Sequence, residues 1–154
     1  MNNLIKFELN ENGNDWVVGD IHGMWDTLER QLKEIGFNKK IDRLFSVGDL
    51  VDRGPKSELA LEYLDEPWFN CVLGNHEKMA VEFYKGIWPI DNYVSNGGEW
   101  FVNLTYDDRR KYVDAFEQLP LAIEVQTKFE RVGLVHAQVP YNEWCCFETM
   151  FRHD

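Results

Sequence analysis

Short apolar runs alternate with helical periodicities through the first half of the chain. Residues 15–19, Asp-Trp-Val-Val-Gly, form an apolar run closed by a turn residue and read as a buried strand. Leu28, Leu32 and Ile35 follow at helical spacing with Gly36 as terminator, which predicts an amphipathic helix over 25–35. The order repeats as a strand over 44–47, a loop over 48–54 and a helix over 57–64 carrying Leu59, Leu61 and Leu64. It repeats again as a strand over 69–73, a turn over 74–77 and a helix over 78–84. Strands alternating with helices predict an α/β fold of parallel β-α-β units. Their right-handed crossovers bring every strand-to-helix loop to one sheet edge, where ligands collect.

The second half is less regular. Residues 88–104 are rich in Gly, Asn and Trp and read as loop with a short helix near 99–104. A helix is expected over 107–118, capped by Asp107 or Asp108 and ended by Pro120. Residues 121–125 and 129–135 read as a β-hairpin with His136 at its exit. Trp25, Trp68, Trp88, Trp100 and Trp144 are expected to serve packing.

With 154 residues, the chain suits a single domain over 1–154. Its 44% hydrophobic content is that of a folding chain rather than a disordered one. A net charge of −11 argues against nonspecific binding to nucleic acid or an anionic membrane, and suits cations. No run approaches the ~18 apolar residues of a membrane span and no signal core opens the chain, so a cytoplasmic location is the default expectation. Cys71, Cys145 and Cys146 match neither a zinc knuckle nor a redox pair and are read as reduced thiols.

The three strand-exit loops hold the chemistry. They read Gly19-Asp20-Ile21-His22-Gly23, Gly48-Asp49-Leu50-Val51-Asp52-Arg53-Gly54 and Gly74-Asn75-His76-Glu77. Asp20 and His22, two apart on an extended segment, would share a side and grip one cation. Asp49 has two carboxylate oxygens and can bridge two ions, while Asn75 and His136 can supply oxygen and nitrogen to the second. This thiolate-free mixture of N and O donors favours Mn, Fe or Zn over Ca.

In order and content, these loops resemble the Gly-Asp-x-His-Gly, Gly-Asp-x-Val-Asp-Arg-Gly and Gly-Asn-His-Glu signatures of the phosphoprotein phosphatase family of calcineurin-like metallophosphoesterases. The similarity extends to Gly133-Leu134-Val135-His136-Ala137. Flanking text such as Trp16-Val17-Val18 and Asn96-Gly97-Gly98-Glu99-Trp100-Phe101 is nearest the small bacterial and bacteriophage lambda-type phosphatases. The resemblance implies two divalent ions, Mn first, held by Asp20, His22 and Asp49 and by Asp49, Asn75 and His136. It implies His76 as general acid oriented by Asp52, Arg53 as the clamp on the phosphoryl group, Asn75 beside the phosphate, and Arg152 as a second phosphate arginine. The implied reaction is one-step hydrolysis of a phosphoprotein or other phosphoester by a hydroxide held between the metals. Relatives with the same motifs cleave symmetric dinucleoside tetraphosphates, and these loops do not separate the two substrates.

The family pattern continues to one more metal-binding His and to strands that complete a second sheet, whereas this sequence stops at Asp154. Glu143 and His153 lie in unmatched text. The second ion is therefore expected to be one ligand short and the second sheet incomplete. That fits a truncated product, a fragment, or a chain that dimerises over the gap. A non-enzymatic metal-binding remnant is the corresponding alternative function.

Overall fold

The computed structural model describes residues 3–139, 143–145 and 149. Two three-stranded sheets form the frame. In the first, β2 (Asp15–Val18), β3 (Arg43–Ser46) and β4 (Phe69–Cys71) run parallel in that order. The connections are α1 (Trp25–Glu34) and a 3-10 turn at Ser57–Leu59 leading into α2 (Ala60–Leu64). This is the expected β-α-β arrangement, and it aligns the exits of all three strands.

The second sheet holds β1 (Leu4–Phe7), β5 (Ala122–Gln126) and β6 (Arg131–Val135), ordered β1-β5-β6. β5 and β6 make the predicted hairpin. β1 escaped the sequence reading because Leu4-Ile5-Lys6-Phe7 is short and interrupted by a charge. Its register places Lys6 opposite Glu124, with an ion pair at 3.3 Å, so the interruption is neutralised by a strand far along the chain.

β3 shows why its run is apolar throughout. Successive side chains of a strand point to opposite faces. Leu44 joins a core with Trp25, Leu28, Leu32, Phe101 and Phe116 on the helical side. Phe45 joins Val72, Ile123, Val125 and Leu134, with Ile5 and Phe7 packed against them, between the two sheets. Both faces are buried, as parallel strands covered on two sides require.

Three helical expectations are corrected. α3 spans Asn75–Tyr84, so the third loop is the helix's first turn rather than a preceding turn. Glu77 accepts from the Gly74 N–H at 3.1 Å in the manner of a capping box, which lets the helix start three residues early. Residues 88–104 hold α4 (Ile90–Ser95) as well as the expected short helix, α5 (Glu99–Val102). α6 spans Tyr106–Phe116, and its cap is Thr105, whose Oγ1 accepts from the Asp108 N–H at 3.1 Å, so neither aspartate caps it. No helix among the described residues is long and apolar enough to cross a membrane.

Candidate active site

The loops are tied by backbone before any side chain acts. Ile21 N–H and His22 N–H both donate to the Asp49 carbonyl, at 3.0 and 2.9 Å, and Gly23 N–H donates to Leu50 at 2.7 Å. The second and third loops touch at Gly48 and Gly74: a Cβ on Gly48 would stand 2.6 Å from the Gly74 Cα, so only glycines allow this approach. Beneath them lies Glu77, fully buried, whose carboxylate accepts from the N–H groups of Asp49, Leu50, Val51 and Gly74 at 3.0, 2.7, 3.3 and 3.1 Å. Burial, then the nearby Asp49 carboxylate, push the Glu77 carboxyl up to about 7, against the downward pull of the backbone donors. Sequence reasoning assigned Glu77 no role; its place three residues after Gly74 was the available signal.

Four non-glycine residues here adopt left-handed backbone: His22, Asp49, Asp52 and Arg53, with φ of 46°, 54°, 68° and 66°. Each such residue carries a cost of order 1 kcal/mol or more, and clusters of them mark functional loops. The expectation of an extended Asp20-to-His22 segment is thereby corrected. The chain turns at His22, and the turn itself brings Asp20 Oδ2 within 3.9 Å of His22 Nε2.

The Asp49 carboxylate sits at the centre. Its Oδ1 accepts from the His76 N–H at 3.0 Å and lies 3.5 Å from His136 Nε2. Its Oδ2 lies 3.9 Å from both His22 Nε2 and His76 Nε2. Two groups of potential ligand atoms result, His22 with Asp49 and His76, and Asp20 with Asp49 and His136, each within 4.8 Å mutually. Asp20 therefore groups with Asp49 and His136 rather than with His22 and Asp49 as expected, although its Oδ2 also lies 3.9 Å from His22 Nε2. Asn75 Oδ1 lies 2.7 Å from His136 Nε2.

The histidine tautomers follow from their outer partners. His22 Nδ1 lies 2.8 Å from the Val51 carbonyl and His136 Nδ1 2.7 Å from the Val47 carbonyl, so both rings donate there. With Nδ1 so engaged, each ring turns its Nε2 inward, the arrangement found in metal-ligating histidines. Arg53 Nη1 donates to the His22 lone pair at 3.0 Å. His136 Nε2 and the Asn75 carboxamide oxygen lie 2.7 Å apart, close enough for both to turn toward one cation. The donor set therefore fits divalent ions with mixed N and O coordination.

His76 differs. Its Nδ1 bonds Asp52 Oδ2 at 2.7 Å, both side chains being essentially inaccessible to solvent, and its buried Nε2 has no hydrogen-bond partner among the described residues. Although distance alone places His76 with a ligand group, the Asp52 bond leaves Nε2 as the one ring atom that can exchange a proton with the site. Asp52 is held in turn. Its N–H donates to Ser57 Oγ at 2.8 Å, and its Oδ1 accepts from Trp100 Nε1 at 2.6 Å and Tyr93 OH at 3.3 Å. Burial and then the Asp52 charge hold the Tyr93 hydroxyl well above the usual phenol range, so it stays a neutral donor. Ser57, Tyr93 and Trp100 were not anticipated at the site; Trp100 packs against the core as expected and in addition donates a hydrogen bond. Arg53 is exposed at the rim. Glu143 joins no ligand group among the described residues. Arg152 and His153 lie outside the described residues.

Residues 16–151 match the calcineurin-like phosphoesterase family, and the chain belongs to that family. Serine/threonine-protein phosphatase 2 of Escherichia coli (strain K12) is 39% identical over 132 residues, covering 84% of this chain and 60% of the relative. A symmetrical bis(5'-nucleosyl)-tetraphosphatase of Nitrosococcus oceani is 31% identical, covering 81% of this chain and 44% of its own length. The chain thus spans about three fifths of the phosphatase relative's length. A solved structure provisionally assigned as a diadenosine tetraphosphatase superposes with a TM-score of 0.62 at 28% identity, covering 81% of this chain and 50% of that one. A protein serine/threonine phosphatase from Saccharomyces cerevisiae superposes with a TM-score of 0.57 over 80% of this chain and 39% of that one, and at 23% identity shares the fold alone.

Proposed function

We propose that the chain is a metal-dependent phosphoester hydrolase acting on phosphoserine and phosphothreonine in proteins. The observation that carries this reading is Asp49, whose two oxygens face different groups of potential ligand atoms. Asp20, His22, Asp49, Asn75 and His136 would hold two divalent ions, manganese being the first to test. When bound, such ions polarise phosphoryl oxygens and acidify water for in-line attack. Arg53, on the same edge, can span two phosphoryl oxygens with its planar fork. His76 Nε2 would hold the proton that the departing oxygen takes, while Asp52 fixes the ring through Nδ1. The thiols of Cys71 and Cys145 are free, which suits a reducing cytoplasm.

Hydrolysis of p-nitrophenyl phosphate with added Mn, together with metal content per chain, tests the reading. Asp49→Ala should lose bound metal and activity together. His76→Ala should keep the metal and lose about a hundredfold or more in kcat, the scale of general-acid catalysis. Bound metal without turnover in the wild type would leave a metal-binding remnant instead. A second reading, hydrolysis of symmetric dinucleoside tetraphosphates, is favoured by the tetraphosphatase similarity, and diadenosine tetraphosphate assayed beside a phosphopeptide separates the two.

A further inference from the structure

Asp52 is buried at 0% exposure, and among the described residues its carboxylate pairs with no lysine or arginine. A buried carboxylate must be satisfied by donors, and the ones present are unequal. Among the described residues Oδ2 carries His76 Nδ1 alone, while Oδ1 carries the short Trp100 bond and the longer Tyr93 bond. Holding Oδ1 fixes the rotation of the carboxylate about its last bond, and with it the place of Oδ2. The imidazole plane follows Oδ2.

Trp100 is well placed to be that fixed point. It stands in the first turn of α5, on the α4–α5 segment that supplies none of the candidate cation ligands. Its ring is held edge-on by Phe101 and Tyr112, with centroids 5.4 and 5.1 Å away. The same segment presses on the neighbouring loop residue: Gly97, at φ +98°, leaves so little room that a Cβ would come 2.4 Å from the Arg53 backbone nitrogen. Asp52 and Arg53 are thus both seated against a helical element separate from the cation loops.

We infer that Trp100 is a positioning residue for the Asp52–His76 pair, its indole N–H setting through Asp52 the line along which His76 hands a proton to the leaving group. This rests on the hydrolase reading above. In the step served, water oxygen bonds to phosphorus and the phosphorus bond to the leaving oxygen breaks, with its electron pair staying on that oxygen. The leaving oxygen takes the proton from His76 Nε2. The proton lost by water passes to solvent, from which His76 regains one. Trp100 touches none of these atoms.

Because Trp100 acts through the proton donor, its loss should matter in proportion to how much the leaving group needs a proton. Trp100→Phe keeps an aromatic ring for Phe101 and Tyr112 and removes the N–H. In the full chain with Mn, the variant's kcat should fall further on phenyl phosphate, a poor leaving group, than on p-nitrophenyl phosphate, by a factor of about ten, with KM little changed. Equal losses on the two esters, as a general loosening of the fold would give, overturn the inference. A readout independent of turnover is the Trp100 indole N–H resonance, identified by its disappearance in Trp100→Phe. It should move upfield in Asp52→Asn, and a resonance that does not move also overturns the inference. A wild type inactive on both esters overturns the hydrolase reading and the inference with it, whereas an active wild type with uniform losses in the variant overturns only the role of Trp100.

Discussion

Glu77 illustrates how much of this site depends on a side chain that never faces it. One buried carboxylate gathers backbone donors from the second loop and from Gly74 at the start of α3, and so sets the distance between Asp49 and Asn75. Glu77→Gln preserves the shape but turns an NH2 toward N–H groups, placing donors against donors. The expected cost is about 1–3 kcal/mol, read as a lower urea midpoint with an unchanged slope. A midpoint equal to wild type would show that the loops hold together without the carboxylate. The candidate ligands Asp20, His22, Asp49, Asn75 and His136 were legible as residues because such polar groups at strand exits are poor choices for turning alone. Ser57, Tyr93 and Trp100 were not, since nothing local to them announces a bond to a carboxylate many residues away.

Elements were legible where one periodicity ran unbroken. β2, α1, β3 and β4 follow their apolar patterns because each buries a continuous face. The starts of α3 and α6 were misplaced because caps compete: Asp107 and Asp108 are plausible caps, yet Thr105 takes the role and Asp108 supplies the N–H it accepts. Thr105→Ala should cost about 1 kcal/mol, measurable as a lower thermal midpoint, while Asp107→Ala, at an exposed position without the cap bond, should cost less. If the two variants lose the same stability, the cap assignment is wrong. β1 has the opposite difficulty, since its four residues become a strand only by pairing with β5.

The chain as a whole carries a charge of −11 and concentrates Asp20, Asp49 and Asp52 on one edge, so cation binding should be linked to folding. Mn at a hundred times its dissociation constant should stabilise the fold by about 2.7 kcal/mol, seen as a rise in melting temperature. Chelator should reverse that rise, and Asp49→Ala should abolish it. A melting temperature indifferent to Mn in the wild type would count against a site formed only in the folded state.

The β-α-β order from β2 to α3, the three polar loops and the choice of candidate N and O donors were legible in the sequence alone, because hydrophobic period, glycine placement and ligand chemistry are local properties. Tertiary structure decided which donors share a side of Asp49, that Asp20 groups with His136, that the amino-terminal strand pairs with β5, and that an indole from α5 donates to Asp52. Those depend on distances between segments remote in the chain, which are set by the packing of two sheets and their helices around buried side chains.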